Sequence, residues 1–445
     1  MKFDKISVDT TFKDNILTSN IIVPKSLKKY FNSLKFFATY DEPLKVNTSI
    51  LNIPLVSAIL PLAFLTRTDI QVKMLDKKYY KSIESVKNEF NRMFPRGRFS
   101  TKIFVDDLIE NETKSQKKAL LFSGGVDSTY SLIRHMYEKP RLVMFFGVVR
   151  YQLNPSYRNH NELVRKTYYD FSRREGFKIN FIDTNVISIL NRSRVTHDFY
   201  RILRKIDLWR GLEIPLVLLG LAAPLSIGRF NELLIAASVD PTHDFDKYPY
   251  SSQPKIDEKF SWADLRVTHD GYIHRFSKTN LINRYLKEHA YSLRVCNDPP
   301  LDKLNCSACE KCFRTIASLV LEGIDPNKYG FEVNKSTFGS MRYLIEKKRQ
   351  NSLRIDLFWK VLQTIIPSEI ETNLFDSKNF FIWLKKLNID TIQKKDGFQR
   401  DLYYLLPYPL AILFDRISYS MIDRSTRQTI RQTLRSNLKK YKNIG

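Results

Sequence analysis

Residues 119–130 read ALLFSGGVDSTY, an apolar run followed by two adjacent glycines and then by Asp127 and Ser128. The chain has only 14 glycines in 445 residues, so a pair at one point indicates a local requirement. Glycine adopts backbone conformations that other residues avoid, and it lets the chain approach a ligand closely. The apolar run predicts a strand and the residues from Asp127 predict a helix, whose N-terminus presents free N–H groups to an anion. The stretch therefore predicts a phosphate-binding turn between a strand and a helix.

The region around this turn alternates between strand-like and helix-like segments. The strand-like segments RLVMFFGVV, KINFIDT and ELLIAAS are separated by helix-like ones such as NELVRKTYYDFSRRE. This alternation predicts βαβ units and a parallel sheet covered on both faces, in which ligands bind at the carboxyl ends of the strands. We therefore predict an α/β core over residues 116–325. Because the chain is too long for one ordinary core, we also predict an α+β domain over 1–115 and a helical region over 326–445.

The composition is strongly basic. Lys and Arg number 72 against 47 Asp and Glu, giving a net charge of +25 and a pI near 9.7. Such a surplus suits a partner that carries phosphates, whether nucleic acid, nucleotide or anionic membrane, but a Lys-rich genome gives the same surplus without one. The C-terminal segment carries a basic stripe at helical spacing, for which a solvated helix face is the preferred interpretation and a nucleic-acid contact the alternative. The stripe comprises Arg424, Arg427, Arg431 and Arg435.

The two most apolar runs, ILNIPLVSAILPLAFL and IPLVLLGLAAPLSIG, contain prolines and fall short of the roughly 20 residues that a membrane span needs. We predict that both are buried core elements and that no membrane is involved. The first residues, MKFDKISVDTTFKDN, lack the apolar region of a signal peptide. These features predict a cytoplasmic protein, in which cysteines stay reduced. A homodimer and a subunit of a larger complex are both compatible with the sequence.

All four cysteines lie between residues 296 and 312, in the pattern C-x₉-C-x₂-C-x₂-C. Four thiolates at this spacing are enough to close a tetrahedral structural zinc site. A [4Fe–4S] cluster also uses a C-x₂-C-x₂-C run and remains the alternative. The nearby cations Lys303, Lys311 and Arg314 would offset the charge of the thiolates. The predicted metal ligands are Cys296, Cys306, Cys309 and Cys312.

The glycine turn, S-G-G-x-D-S after a strand, resembles the PP-loop of the N-type ATP pyrophosphatases. Together with the downstream cysteines and a following arginine, it resembles the 7-cyano-7-deazaguanine synthase (QueC) family over roughly residues 116–325. The resemblance implies a PP-loop, adenine nucleotide alpha hydrolase-like fold and a structural zinc beside the active site. It also implies cleavage of MgATP to AMP and pyrophosphate, with a carboxylate activated for attack by ammonia.

The resemblance assigns roles to particular residues. Asp127, Ser128 and Lys278 would be catalytic, the lysine because HRFSKTNLI resembles a segment that carries a lysine near the phosphates. A solvated lysine at a helix end is the alternative for Lys278. The predicted nucleotide-binding residues are Ser123, Gly124, Gly125, Val126, Asp127, Ser128 and Gly147.

The sequence departs from the family in the region that would bind the acceptor. The second strand of the core continues as FFGVVRYQLNPSYRNHNE, which keeps only Gly147 and a histidine, His160, of the family's pattern. A substrate-reading loop of the family is replaced here by DKYPYSSQPKID. A pocket for a flat deazapurine therefore does not follow from the resemblance.

Two further polar segments are candidate pocket walls. The first follows the strand ELLIAAS and offers carboxylates and a histidine for Mg²⁺ or for general-base catalysis, or else forms a polar turn. The second, THDGYIHRFSK, leads into Lys278. The candidate residues are Asp240, His243, Asp244 and Asp246 in the first segment and His269, Asp270 and His274 in the second.

Three functions remain open from the sequence. The first is an ATP-dependent ligase or synthase that adenylates a carboxylate or amide oxygen of an unknown small-molecule or protein acceptor for attack by a nitrogen nucleophile. The second is a tRNA-modifying PP-loop enzyme. The third is a non-catalytic ATP-sensing subunit, since some QueC-like proteins with added domains resemble components of bacterial antiphage systems.

Overall fold

The computed structural model of the protein describes residues 5–347, 358–389, 404 and 407–412. The chain divides into two units, Met1–Gln393 and Lys394–Gly445, and the architecture below is that of the first. The basic stripe predicted over residues 424–435 lies outside the described residues.

The described chain is a mixed α/β protein built on a sheet of 11 strands. Their order across the sheet is β10-β11-β9-β6-β7-β8-β3-β2-β1-β4-β5. The strands are β1 (Ile6–Lys13), β2 (Ile16–Ile22), β3 (Lys35–Tyr40), β4 (Ile70–Asp76), β5 (Ile103–Ile109), β6 (Lys118–Leu121), β7 (Arg141–Phe146), β8 (Ile179–Thr184), β9 (Glu232–Ala236), β10 (Ser261–Trp262) and β11 (Leu265–Asp270).

Helices connect and cover these strands. The α-helices are α1 (Thr48–Leu51), α2 (Ile53–Thr66), α3 (Lys77–Met93), α4 (Val126–Arg134), α5 (Arg158–Glu175), α6 (Val186–Ile189), α7 (Arg192–Asp198), α8 (Ile214–Ser226), α9 (Pro254–Asp257), α10 (Arg275–Glu288), α11 (Glu310–Leu321), α12 (Thr337–Lys347), α13 (Lys360–Ile365) and α14 (Lys378–Lys386). Short 3₁₀ segments cover Lys25–Tyr30, Met136–Glu138, Arg150–Leu153, Pro155–Tyr157, Pro326–Tyr329 and Leu374–Asp376, and a π-helical turn, Trp209–Glu213, leads into α8.

The five central strands, β8, β7, β6, β9 and β11, run parallel to one another. The chain runs from β6 outward through β7 to β8, and then returns to the other side of β6 to form β9 and β11. The direction of winding therefore changes between β6 and β9. In open α/β sheets a ligand crevice opens at such a switch point, beyond the carboxyl ends of the strands.

Both faces of the central sheet are covered, as the alternation of strands and helices predicts. Side chains of β6 alternate between the two cores: Ala119 and Leu121 belong to one, and Leu120 and the following Phe122 to the other. The first core also contains the apolar residues of α2 and α8, and the second those of α4, α5, α10 and α11. The near-continuous apolar sequence of β6 follows from this two-sided burial.

The N-terminal strands extend the same sheet. β3 pairs antiparallel with β8, with Ala38 opposite Thr184 and Tyr40 opposite Ile182. This part of the chain combines strands with the long helix α3, in keeping with the mixture of strand and helix that we predict for residues 1–115. Strands from before and after residue 115 therefore belong to one continuous sheet. The division into domains at that residue stays a prediction.

The two apolar runs are buried in the core, as predicted, and both form helices. Residues Thr48–Thr66 have a mean hydropathy of 1.9 and are long and apolar enough to cross a membrane, yet 94% of that window is buried inside the protein. α2 packs against α8, and the Tyr40 hydroxyl donates to the Leu221 carbonyl of α8 at 3.0 Å. The apolar surface of α2 is therefore covered by protein.

The contact between α2 and α8 depends on a glycine. A Cβ atom at Gly220 would lie 2.5 Å from Cβ and Oγ of Ser57, too close for real atoms. We expect Gly220→Ala to lower the free energy of unfolding by about 1–2 kcal/mol, because two packed helices must separate. Urea denaturation measures this change.

Gly339 in α12 provides the matched control. A Cβ atom there would have no atom within 4 Å, so Gly339→Ala should leave stability unchanged or raise it by up to about 1 kcal/mol. Equal effects of the two substitutions would contradict the close helix contact.

Candidate anion and metal site

The glycine turn lies at the carboxyl end of β6, at the switch point of the sheet. Gly124 has a φ of +73°, and a Cβ atom there would lie 1.9 Å from the Tyr168 hydroxyl oxygen. Gly125 is the N-cap of α4 with a φ of −83°, and no side chain caps the helix. Only glycine fits at the first position, since both the backbone angle and the neighbouring ring exclude a side chain.

The turn leaves the N-terminus of α4 open to an anion. An α-helix has no internal acceptors for the N–H groups of its first turn, which here begins at Val126. The Ser128 hydroxyl accepts from the Ser123 N–H at 3.2 Å, and the Ser123 hydroxyl accepts from the Gly125 N–H at 3.3 Å. The two hydroxyls hold the turn in shape, and the positive end of the helix dipole lies at the carboxyl end of β6.

Lys278 joins the two sides of the switch point. Its side chain is 2% exposed, and its Nζ donates to Asp127 Oδ1 at 3.2 Å and to the Ala237 carbonyl. Asp127 belongs to the first turn of α4, and Ala237 directly follows β9. The structure thus places Lys278 beside the glycine turn and does not place it on a solvated surface.

Gly147 follows β7 and has a φ of +92°. A Cβ atom there would lie 1.7 Å from the Thr184 carbonyl oxygen, so the residue allows the ends of β7 and β8 to approach closely. Its N–H donates to Gln152 Oε1 at 3.0 Å. This N–H is therefore engaged within the protein.

The polar segment after β9 forms capped turns around a buried histidine. Asp240 Oδ1 accepts from the Thr242 N–H at 2.9 Å, and Asp244 Oδ1 accepts from the Lys247 N–H at 2.8 Å. Nε2 of His243 lies 2.7 Å from the Tyr248 carbonyl, and burial lowers the pKa of His243. The Asp246 carbonyl accepts from Arg204. The structure does not bring these carboxylates together as a cation site.

The second polar segment contains a strand, β11, whose side chains point to both faces of the sheet. Nδ1 of His269 lies 2.6 Å from Asp257 Oδ2, both side chains are fully buried, and burial raises the pKa of Asp257. The neighbouring Asp270 pairs instead with Arg134 at 2.7 Å and His135 at 3.1 Å. His269 and Asp270 therefore belong to separate networks.

His274 and His160 lie apart from these networks. His274 is the N-cap of α10, without a side-chain cap bond. His160 is fully buried, and its ring packs against Tyr151 and Tyr157 at centroid distances of 5.6 and 6.1 Å.

The segment before the first cysteine touches the glycine turn, which the sequence did not predict. The Arg294 N–H donates to the Gly124 carbonyl at 2.8 Å, and Arg294 Nη1 donates to the Ser123 carbonyl at 3.2 Å. The Tyr168 hydroxyl, which contacts Gly124, also donates to the Ser292 carbonyl at 2.9 Å. No local pattern signals these contacts, because they join residues more than 120 positions apart.

The four cysteines form a compact cluster, as predicted. Their sulfur atoms all lie within 4.8 Å of one another, at 3.9 Å for Cys296–Cys309, 3.9 Å for Cys306–Cys312 and 3.5 Å for Cys309–Cys312. Zn–S bonds of about 2.3 Å in a tetrahedron separate the sulfurs by roughly 3.8 Å. These separations exceed a disulfide bond of about 2.05 Å and fit a bound metal ion such as zinc.

Asn305 holds the two cysteine-bearing loops together. Its side chain is buried, and Oδ1 accepts from the N–H groups of Val295 and Cys296 at 2.9 and 3.2 Å. Its Nδ2 donates to the carbonyls of Leu293 and Gly330 at 2.7 and 2.8 Å. Asn305 therefore orients the first cysteine relative to the other three.

The cations predicted to offset the thiolate charge have other partners. Lys303 pairs with Glu332 at 2.7 Å, Lys311 donates to Asn297 at 2.8 Å, and Arg314 lies 3.6 Å from Glu310. A backbone donor also faces the sulfurs, since the Cys309 N–H donates to Cys306 Sγ at 3.3 Å.

A scan against models of protein families matched none, and searches of curated proteins and of solved structures returned no match. The functional argument therefore depends on the residues and their geometry.

Proposed function

We propose that the protein is an ATP-dependent ligase or synthase of the PP-loop class, similar to the 7-cyano-7-deazaguanine synthases in its nucleotide half. The observation that carries the proposal is the glycine turn, placed at the switch point with an open helix N-terminus and a buried lysine beside it. An arrangement of this kind binds a phosphate chain through fixed N–H groups. The cysteine cluster, joined to the turn through Arg294 and Ser292, is the second supporting feature.

In the proposed reaction, an oxygen of the acceptor attacks the α-phosphorus of ATP. The bond to the bridging oxygen of the β-phosphate breaks, and pyrophosphate leaves. A nitrogen nucleophile then attacks the adenylated carbon and displaces AMP. The positive charge needed at the leaving pyrophosphate would come from the N–H groups of the turn, from Lys278 and from Mg²⁺ held by Asp127.

Asp127 and Lys278 would have different roles, the first as a metal ligand and the second as a phosphate ligand. The two side chains pair at 3.2 Å, and only the aspartate is partly exposed, at 23%. A Mg²⁺ ion bound to Asp127 would compete with Lys278 for the carboxylate. Lys278 would then be free to contact the phosphates. The cluster metal would act structurally, because all four protein ligands are thiolates and a closed site leaves no position for substrate.

The test is product analysis with MgATP and a host extract that supplies the acceptor. We expect AMP and pyrophosphate from the wild-type protein and a loss of at least about a hundredfold in AMP formation from Asp127→Ala, because the site loses its metal ligand. Asp106→Ala removes an equal charge from β5, at the far edge of the sheet, and serves as the control.

The products discriminate among the proposed functions. ADP in place of AMP would contradict the PP-loop mechanism. Tight ATP binding without turnover would favour the ATP-sensing subunit. Iron in the cluster together with bound RNA would favour the tRNA-modifying enzyme.

A further inference from the structure

The guanidinium of Arg294 lies against the glycine turn. Nη1 donates to the Ser123 carbonyl at 3.2 Å, and Nη2 donates to the Tyr151 hydroxyl at 2.6 Å. Nε is buried and has no hydrogen-bond partner in the described part of the protein. The side chain is thus fixed at the crevice by two neutral oxygens.

The charge of Arg294 has no carboxylate beside it in the part of the chain that the structure describes. Among the described residues, no carboxylate oxygen lies within 4 Å of this guanidinium, whereas Lys278 on the other side of the turn is paired with Asp127. A guanidinium held beside an open helix N-terminus adds positive charge where the helix dipole is already positive. This concentration of charge is unfavourable until an anion binds there.

The backbone of the cysteine segment determines where Arg294 lies. Its own N–H donates to the Gly124 carbonyl at 2.8 Å, and Val295 and Cys296 are both held by Asn305. Arg294 is two residues from a metal ligand on one side and in contact with the glycine turn on the other. The metal cluster therefore orients this arginine towards the anion site.

We propose that Arg294 binds the phosphate chain of the nucleotide, as a ligand that the metal-bound segment delivers to the glycine turn. This inference rests on the proposed function. Arginine suits the role because its planar group presents several N–H donors to phosphate oxygens and keeps its charge at all relevant pH values. On binding, a phosphate oxygen would accept the hydrogen bond that Arg294 Nη1 now donates to the Ser123 carbonyl.

The experiment measures binding of MgATP, pyrophosphate and adenosine to the purified full chain by titration calorimetry. We expect Arg294→Ala to weaken MgATP and pyrophosphate about tenfold to a hundredfold while leaving adenosine affinity unchanged, because only the first two carry phosphates. Arg294→Lys should recover part of the loss. Arg266→Ala removes the same charge from the amino end of β11, where the side chain is 74% exposed, and should change none of the three affinities.

Each outcome decides the inference. Equal MgATP affinity in the wild type and in Arg294→Ala overturns it and leaves the proposed function standing. An equal loss of adenosine affinity overturns it as well, since the effect would then not concern phosphate. Failure of the wild type to bind either MgATP or pyrophosphate overturns both.

Metal content and melting temperature show whether the variant is folded. If Arg294→Ala does not fold, Tyr151→Phe is measured in its place. That substitution removes the 2.6 Å hydrogen bond that orients the guanidinium, while the charge of Arg294 is kept. We expect a weaker loss of pyrophosphate affinity there, and an unchanged affinity contradicts the inference.

Discussion

Removal of the cluster metal by a strong chelator is expected to lower the melting temperature sharply and to expose the cysteines. Structural zinc contributes about 10–16 kcal/mol of binding free energy in small zinc peptides, and that energy is folding energy. Here the four sulfurs lie within 4.8 Å of one another, so without a metal they bring like charges or protonated thiols together. We expect the free energy of unfolding to fall by several kcal/mol.

Element analysis and thiol titration check this result. One zinc per chain, with four thiols that react only after chelation, is the expected outcome. Lys311→Ala leaves every thiol in place and serves as the control, with unchanged metal content. About four irons per chain would show a [4Fe–4S] cluster instead, and a metal-free protein of undiminished stability would contradict a structural metal.

Removal of the metal by a chelator should also loosen the glycine turn. The Ser292 carbonyl accepts a hydrogen bond from Tyr168, and the Arg294 N–H donates one to the Gly124 carbonyl. Ser292 and Arg294 both lie within four residues of Cys296 in the sequence. Loosening of the cysteine segment therefore removes acceptors and donors that hold the turn. The cysteine cluster and the glycine turn are parts of one contiguous hydrogen-bonded network, although 171 positions separate Ser123 from Arg294.

The sequence predicts the parts of the fold that depend on local pattern. The strand β6 and the start of α4 follow from an apolar run, two glycines and a helix-forming stretch. The burial of residues 50–65 follows from a long apolar run, and the cysteine cluster follows from cysteine spacing. Each of these patterns spans fewer than about 20 consecutive residues, so periodicity and residue type are enough to predict the structure there.

The parts that were missed depend on tertiary contacts. β11 was not predicted, because its sequence LRVTHD mixes charged and apolar residues and ends in an Asp-Gly turn. Alternation in a strand then sends His269 and Asp270 to opposite faces, so two residues predicted to line one pocket wall separate. The pairing of β3 with β8 and the position of Arg294 are likewise determined by the folded chain and not by neighbouring residues.

Gly124→Ala is expected to abolish nucleotide binding by a mechanism that Gly176→Ala does not share. Both glycines have nearly the same backbone angle, with φ of +73° and +71°, so each substitution costs about 1–2 kcal/mol in backbone strain. A Cβ atom at Gly176 would have no atom within 4 Å, whereas one at Gly124 would lie 1.9 Å from the Tyr168 hydroxyl oxygen. Only the substitution at Gly124 must therefore displace a neighbour.

That displacement falls on the binding site itself. The Tyr168 ring is buried and its hydroxyl is bonded to Ser292, so the backbone of the turn must move in its place. Movement of the turn misaligns the N–H groups that would hold the phosphates, and a misplacement of about 1 Å is enough to cost about a hundredfold. We expect Gly124→Ala to lose at least a hundredfold in MgATP affinity and Gly176→Ala less than about threefold, although urea denaturation should show destabilisation of both. Equal affinities in the two variants would mean that the phosphate chain does not bind at this turn.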